Sequence, residues 1–154
     1  MQDELAAEIP ETIGHYKIER KIGEGGMAVV YRGYQASLNR YVAIKVLRGD
    51  LARNQELVAR FHREALAVAR LNHPNIIRVY DVGNFKGTYY FSMEYVDGET
   101  LYSTLRREGR LDAARALNIA LQVAFALEHA QKQGIIHRDI KPENIMIDRE
   151  GRVK

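Results

Sequence analysis

Cysteine is absent from the sequence, which excludes a disulfide framework and any thiolate metal site. The absence suits a reducing cytosol, and we expect a cytoplasmic location. Long hydrophobic runs are lacking as well, because the longest uncharged stretch, residues 116–127, is too short to span a bilayer. Residues 1–4 lack the basic and then apolar order of a signal peptide. We therefore expect a soluble segment, which is compatible with a membrane anchor further along the full-length protein.

The sequence also has no block of charge of one sign. The 23 basic and 20 acidic residues are dispersed and give a net charge of +3, so nucleic-acid binding has no special support. His15, His62 and His129 lack metal-ligand spacing and are expected on the surface or in ordinary packing. What remains is the composition of a globular domain, because 154 residues with 46% hydrophobic content can bury a respectable core.

The first two thirds of the sequence have mainly β character. Short strand-like segments cover residues 16–22, 29–34, 41–47, 76–82 and 88–96, and the last two are joined by a turn over 83–87. One helix, over residues 55–71, interrupts them. The acidic segment before them, residues 1–15, is expected to be a flexible lead-in.

The last third is helical in pattern. Helices are predicted over residues 101–107 and 113–132, the second with Asp112 at its N-cap position. The apolar residues at helical spacing in this second helix are Leu117, Ala120, Leu121, Ala124 and Leu127. Strands followed by helices predict an α+β fold with two lobes.

The most informative stretch is His-Arg-Asp-Ile-Lys-Pro-Glu-Asn over residues 137–144. Its polar groups fall at the offsets that phosphoryl transfer needs within one loop. Asp139 can orient an attacking hydroxyl and accept its proton, Lys141 can neutralise charge on the transferred phosphoryl, and Asn144 can bind a metal ion. The alternative is a solvated turn after a helix, since these are ordinary loop residues. An eight-residue match rarely arises by chance, so we favour the catalytic interpretation.

A second motif, Gly-Glu-Gly-Gly-Met-Ala-Val-Val, covers residues 23–30. Its alternative interpretation is a plain hairpin turn. A dinucleotide-binding fold would place a helix after the glycines, and a Walker-type loop would end in Gly-Lys followed by Ser or Thr. Neither of these two folds fits, because strand-like segments lie on both sides of the glycines. This context makes phosphate binding by the glycine-rich segment a stronger interpretation than the motif alone would.

The third signal is Lys45 in Val-Ala-Ile-Lys, residues 42–45. Alternation along a strand places it on one face with Tyr41, Ala43 and Leu47, which are mainly apolar. A lysine on a solvated strand face is the alternative. The following helix decides against it, because Glu64 lies within an apolar stripe, and a carboxylate there is costly to bury unless it is paired. We therefore predict an ion pair between Lys45 and Glu64, whereas Glu56 is expected on the helix surface.

These motifs resemble those of a eukaryotic-type (Hanks-type) serine/threonine protein kinase of the kind found in bacteria, over residues 16–154. Lys-Pro-Glu-Asn at residues 141–144 is typical of the Ser/Thr members. The resemblance implies a protein kinase-like bilobal fold, with a five-stranded antiparallel sheet and one helix in the first lobe. It implies an N-terminal lobe over about 16–96, a hinge over about 94–98 and the start of a helical lobe over about 99–154. The resemblance stops before the Asp-Phe-Gly motif, so the chain is expected to be an incomplete, inactive fragment with one side of helix 113–132 exposed.

The resemblance also implies an ATP site. In the family the glycine-rich loop covers the ATP phosphates, the lysine bridges phosphates to the helix glutamate, and the Met-Glu-Tyr-Val segment at 93–96 is the hinge that meets the adenine edge. The implied nucleotide-binding residues are Ile22, Gly23, Glu24, Gly25, Gly26, Met27, Ala28, Val30, Ala43, Lys45, Met93, Glu94, Val96, Thr100 and Met146. Ala28 departs from the family pattern, which usually has a third glycine there, and its methyl group would stiffen the loop. Residues 89–96 also suit any core as an apolar strand.

The function implied is transfer of the ATP γ-phosphoryl to Ser or Thr hydroxyls of protein substrates, with Mg²⁺ bound by Asn144. The implied catalytic residues are Asp139, Lys141, Asn144, Lys45 and Glu64. Arg138 resembles the arginine that pairs with a phosphorylated activation loop, which implies regulation by phosphorylation. Two alternatives are kept: a non-catalytic nucleotide-binding or regulatory module, and a small-molecule kinase of related fold. The expected partners are ATP and protein substrates, without nucleic acid and without a membrane segment in this chain.

Overall fold

The computed structural model describes residues 10–154, which divide into two compact units. The first unit takes in the described residues up to Leu66 together with Val79–Tyr95, and the second comprises Ala67–Arg78 and Val96–Lys154. Among residues 10–154, none of the helices has the length and apolar character that crossing a membrane requires.

The first unit is built on an antiparallel sheet of six strands. The strands are β1 (Thr12–Ile13), β2 (Tyr16–Glu24), β3 (Ala28–Gln35), β4 (Arg40–Leu47), β5 (Val79–Phe85) and β6 (Thr88–Glu94). They lie in the order β1-β2-β3-β4-β6-β5. A short 3-10 helix, Ala36–Leu38, joins β3 to β4, and Asn39 closes it in the left-handed conformation that asparagine tolerates.

The predicted count of five strands is wrong by one, because β1 lies within the segment expected to be a flexible lead-in. Gly14 has a φ of 57°, and this turn pairs Ile13 with Tyr16 and buries Ile13 to 2% exposure. An added Cβ at Gly14 would lie 2.7 Å from the Tyr90 hydroxyl oxygen, so the turn also needs glycine for space. A two-residue strand has no periodic pattern from which to predict it. The flexibility predicted for residues 1–9 lies outside the described residues.

Strand β5 is also displaced from its prediction, starting at Val79 and not at residue 76. The chain before it forms a turn, in which Ile76 N donates to His73 O at 3.1 Å and Asn75 N donates to His73 Nδ1 at 3.1 Å. Strand β5 continues through Phe85, so the turn expected over residues 83–87 shrinks to Lys86 and Gly87, both with positive φ. A two-residue turn of this kind matches the twist of an antiparallel hairpin.

Helix α1 (Gln55–Ala69) packs against one face of the sheet and ends two residues before its predicted limit at residue 71. The Asn54 side chain caps it, accepting hydrogen bonds from Glu56 N at 3.0 Å and Leu57 N at 3.3 Å. Phe61 and Ala65 of α1 are buried, in a cluster whose strand residues are Ala28, Leu47 and Phe91. A separate cluster covers the opposite face and contains Ile13, Tyr16, Ile18, Val42, Ile44, Val46 and Tyr90.

The second unit contains α2 (Leu101–Glu108), α3 (Ala113–Lys132) and a two-stranded ribbon of β7 (Gly98–Thr100) and β8 (Met146–Asp148). The predicted cap of α3 is present, with Asp112 Oδ1 accepting from Arg115 N at 3.0 Å. Buried side chains in this unit are Leu71, Thr104, Ile119, Ala130, Ile145, Ile147 and Val153. The apolar stripe read from the sequence lies on another side of α3, where Leu117 and Leu121 are 70% and 53% exposed.

Candidate active site

The glycine-rich segment forms the turn between β2 and β3. Gly25 N donates to Ala28 O at 2.9 Å, and the strands pair Glu24 with Val29 and Gly23 with Val30 on either side. Neither Gly25 nor Gly26 has a positive φ, and a Cβ added at Gly26 would meet no atom within 4 Å. The protein's own packing therefore does not require glycine at residue 26. Its exposed backbone leaves open space in which a ligand can approach the N–H groups closely.

Lys45 and Glu64 form the predicted ion pair, with Lys45 Nζ 2.7 Å from Glu64 Oε1. The Lys45 side chain is 28% exposed and that of Glu64 is 50% exposed. An ion pair this open contributes only about 0–1 kcal/mol to stability. Its main effect is positional, because it fixes an ammonium group on β4 against helix α1.

The sheet face that presents Lys45 also presents several of the predicted nucleotide-binding residues. Cross-strand pairing places Val30 opposite Lys45 and Met93 opposite Ala43, so these four side chains project from one face. Ala43 is buried at 5% exposure. Ile22, on β2, is 38% exposed. Small and apolar side chains beside one ammonium group suit a ligand with a flat apolar part and an anionic part.

In the second unit, the loop over residues 137–144 brings its three predicted catalytic residues together. Asn144 Nδ2 donates to Asp139 O at 2.9 Å and to Asp139 Oδ2 at 3.0 Å. Lys141 Nζ lies 3.1 Å from the same Oδ2 atom. A 3-10 helix, Pro142–Asn144, reverses the chain so that Asn144 reaches back over five residues. The fixed φ of Pro142 suits the first position of this turn.

These contacts favour the ionised form of the Asp139 carboxyl. The hydrogen bond from Lys141 lowers the pKa of the Asp139 carboxyl from its ordinary value, and the charge of Lys141, the Asn144 amide and His137 act in the same direction. Asp139 is therefore ionised at neutral pH. The residue before it, Arg138, has a φ of 67°, a strained conformation for a non-glycine residue, and Asp139 N donates to His137 Nδ1 at 3.2 Å.

The family model of the protein kinase domain matches residues 16–154 of the sequence. The chain belongs to the protein kinase domain family.

Named relatives of this protein kinase domain are bacterial. The serine/threonine-protein kinase PrkC of Bacillus subtilis is 48% identical over 141 residues, which are 92% of this chain and 22% of that protein. The serine/threonine-protein kinase pkn3 of Myxococcus xanthus is 48% identical over 142 residues, 91% of this chain and 26% of that protein. The chain therefore spans about a quarter of the length of these curated relatives.

A solved structure agrees with the architecture. The crystal structure of the PknI kinase domain of Mycobacterium tuberculosis superposes with a TM-score of 0.77 at 33% identity, and the match covers 90% of this chain and 56% of that one. The α+β fold predicted from the order of strands and helices, and the kinase-like fold that the resemblance implied, are thus confirmed apart from the strand count.

Two further predicted residues of this kinase domain lie side by side in the second unit. Thr100 of β7 pairs with Met146 of β8. The Thr100 hydroxyl oxygen also accepts from Ser103 N at 3.0 Å and so caps helix α2. Met146 is partly buried, next to the buried side chains of Ile145 and Ile147. Val96 begins the second unit and is partly buried.

Sequence reasoning missed a cluster near the end of β6, formed by Arg32, Tyr41 and Tyr95. The Arg32 Cζ atom lies 3.9 Å from the centre of the Tyr41 ring and 5.2 Å from the centre of the Tyr95 ring. The three residues come from β3, β4 and the segment after β6, so no local spacing in the sequence relates them. Only the cross-strand register brings them together.

Proposed function

We propose that this chain is the catalytic part of a serine/threonine protein kinase, which transfers the γ-phosphoryl group of ATP to Ser or Thr hydroxyls of protein substrates. The observation that carries the proposal is the ionised Asp139 carboxylate, held by hydrogen bonds from Lys141 and Asn144. The names of the bacterial relatives support the Ser/Thr assignment. A cytoplasmic location follows in this proposal, because the reaction needs the cytoplasmic pool of ATP.

The proposed lobes are an N-terminal lobe over residues 16–96 and the start of a C-terminal lobe over residues 99–154, with a hinge over residues 94–98. In the N-terminal lobe, Lys45 would bind phosphate oxygens and Glu64 would keep its ammonium in place. The backbone of residues 23–28 would donate N–H groups to the phosphates. Ile22, Val30, Ala43, Met93, Thr100 and Met146 would contact the base and ribose, and the backbones of Glu94 and Val96 would bind the adenine edge.

Asp139 would act as the base. A substrate hydroxyl would donate its proton to Asp139 while its oxygen bonds to the γ-phosphorus and the bond from that phosphorus to the ADP oxygen breaks. Lys141, which is 48% exposed, would meet the negative charge of the transferred group. These side chains mainly position groups and stabilise charge, which is what phosphoryl transfer requires of a protein.

The family implies a divalent cation, and we propose Mg²⁺ with Asn144 as a ligand. Asn144 uses Nδ2 for both of its hydrogen bonds to Asp139, so its carbonyl oxygen Oδ1 is oriented by the loop and has the hard character that Mg²⁺ prefers. Among residues 10–154, no group of three His, Asp or Glu side chains is arranged to hold a metal ion. Phosphate oxygens and water would therefore complete the ligand set. When bound, Mg²⁺ would neutralise charge on the phosphates.

Replacement of Asp139 by asparagine tests the proposal in the full-length protein. D139N keeps the shape and the contact with Asn144 but removes the base, so phosphoryl transfer to Ser- and Thr-containing peptides should be lost. ATP affinity should stay nearly unchanged, because Asp139 meets the acceptor and not the nucleotide. The matched control is D50N, which removes an exposed carboxylate from the first unit and should leave transfer unchanged.

Two outcomes would contradict the assignment. Normal transfer by D139N would remove Asp139 from the base role, and a collapse of ATP affinity would make it a structural or metal-binding residue. Wild-type protein that binds ATP but transfers no phosphate to any peptide would instead support a non-catalytic nucleotide-binding module. No contact in the described residues favours that module over the enzyme.

A further inference from the structure

The strand that leads into the proposed adenine-binding segment loses its cross-strand support within that segment, after Glu94. Pairing between β4 and β6 ends with Val42 opposite Glu94, and Tyr95 follows outside the strand. The two residues whose backbones are proposed to meet adenine, Glu94 and Val96, flank Tyr95. The position of the Tyr95 backbone therefore affects how the backbones of Glu94 and Val96 are oriented. The pairing of β4 with β6 does not fix that position.

The side chain of Tyr95 is in contact with the sheet through Arg32 and Tyr41. The guanidinium of Arg32 lies within cation–π range of both Tyr41 and Tyr95, whose ring centres are 6.5 Å apart. Tyr34 lies against the other side of this group, with its ring centre 5.4 Å from that of Tyr41. The result is a row of aromatic rings with one cation, which links two central strands of the sheet to Tyr95.

The position of Arg32 is set by the sheet and not by Tyr95. Arg32 is paired with Ala43 through the regular register of β3 with β4, and on its other side it pairs with Arg20, next to a register shift in β2. Its Nε atom lies 3.3 Å from Glu19 Oε2, although the geometry of that contact is not that of a hydrogen bond. With its side chain only 24% exposed, the guanidinium is partly removed from water, which strengthens its attraction to the rings.

We infer that Arg32 is a positioning residue for adenine recognition, which fixes the Tyr95 backbone through the Tyr41 and Tyr95 rings. The inference rests on the proposed function, since it assumes that Glu94 and Val96 meet the base. Arg32 shares a sheet face with Ala43, and its charged end lies against Glu19, Tyr41 and Tyr95. Its effect should therefore appear in recognition of the base and not in the binding of phosphates.

The test is R32L in the full-length protein, which keeps an apolar stem and removes the cation. The KM for ATP should rise about three- to thirty-fold, the range expected for one or two lost cation–π contacts, with kcat nearly unchanged. Inhibition by inorganic tripolyphosphate, which lacks a base, should keep its wild-type constant. R32K should recover part of the affinity, because an ammonium group also binds an aromatic face.

A second variant makes the test independent of Arg32 itself. Y95L should raise the KM for ATP as R32L does, whereas Y95F, which keeps the ring, should not. In the Y95L background, R32L should add less than it does alone. The matched control is R20L, which removes the exposed cross-strand neighbour of Arg32 on β2 and should leave the KM unchanged.

The outcomes separate this inference from the proposed function. Transfer by the wild type with an unchanged KM in both R32L and Y95L overturns the role of Arg32 and leaves the kinase assignment standing. An equal loss of affinity for ATP and tripolyphosphate also overturns it, since that pattern indicates general damage to the lobe. If the wild type neither binds ATP nor transfers phosphate, the proposed function itself fails. If R32L does not fold, the KM for ATP and the inhibition by tripolyphosphate are compared between Y95L and Y95F, with the same outcomes supporting or overturning the inference.

Discussion

At the scale of single residues, Asp139 shows how a short loop can control a carboxyl group without burying it. The carboxylate is 61% exposed, yet its neighbours include the cationic Lys141 and the amide of Asn144. Exposure leaves room for a substrate hydroxyl, while the two donors favour the charged form. Accessibility would let a substrate reach the carboxylate, and the lowered pKa keeps that carboxylate ionised at neutral pH while making it a weaker proton acceptor.

The pH dependence of Asp139 provides a direct check. Because its folded-state pKa is lowered, the stabilisation from its contacts is present above the unfolded-state pKa and is lost as the pH falls through the folded-state pKa. K141M should therefore raise the pKa of Asp139 towards its ordinary value, measured by NMR titration of the side-chain carboxyl carbon. K132M, which removes the lysine paired with Glu128, is the matched control and should not shift it. An unchanged titration midpoint in K141M would show that Lys141 is not the main cause.

Residues near each other in the sequence, or on one periodic face, were predictable. The Lys45–Glu64 pair followed from alternation on a strand and an interrupted stripe on a helix, and the loop over residues 137–144 is local. The Arg32 cluster was not predictable, because its contacts depend on which strands are neighbours and in which register. A single sequence without its fold contains no local signal for that arrangement.

At the scale of secondary-structure elements, the important contact joins β4 to α1. Lys45 is fixed by the regular pairing of β4 with β3 and β6, whereas Glu64 depends on how α1 lies against the sheet. Phe61 and Ala65, on either side of Glu64 in the sequence, are buried and hold the helix there. A change that shifts α1 therefore moves the Glu64 carboxylate away from Lys45, even where β4 keeps its place in the sheet.

Substitution of the two partners tests this contact. K45M in the full-length protein should lower phosphoryl transfer by about 10² to 10³ because it removes a cation from the phosphates, with little change in thermal stability. E64Q should cause a smaller defect of the same kind. The control is E56Q, an exposed glutamate in the first turn of the same helix, which should behave as the wild type. Near-normal turnover in K45M would refute the assigned role of the pair.

The long elements were predicted to within a few residues, because amphipathic periodicity over seven or more residues is a strong signal. Strands β1, β7 and β8 were missed because two or three residues cannot show a period. The start of β5 was placed three residues early because apolar residues at 76 and 77 read as strand, whereas hydrogen bonds to His73 fold Asn75 and Ile76 into a turn.

At the scale of the whole molecule, three of the exposed large apolar side chains lie together on one helix. Leu117, Leu121 and Phe125 of α3 are 70%, 53% and 48% exposed and lie at spacings of four residues, so they form one continuous stripe. The apolar stripe predicted from the sequence includes Leu117 and Leu121 but not Phe125. Contiguous apolar surface of this kind promotes association.

We expect the 154-residue chain to associate in a concentration-dependent way, measured by sedimentation velocity. The double variant L117S/L121S should reduce that association without lowering the helix content seen by circular dichroism. L38S is the matched control, because Leu38 is 60% exposed but isolated on a short 3-10 helix. Association that is unchanged in the double variant would mean that another surface is responsible.

The strand order of the sheet has a consequence for how the first unit assembles. Strands β5 and β6 are joined by only Lys86 and Gly87, so this hairpin can close in about 1–10 μs. Strand β6 must then pair with β4, with Phe91 opposite Lys45. Helix α1 lies between β4 and the hairpin in the sequence, so this pairing closes a longer loop at a higher entropic cost. We therefore expect the pairing of β6 with β4 to form last in this sheet, after the local β5–β6 hairpin and the meander of β2, β3 and β4.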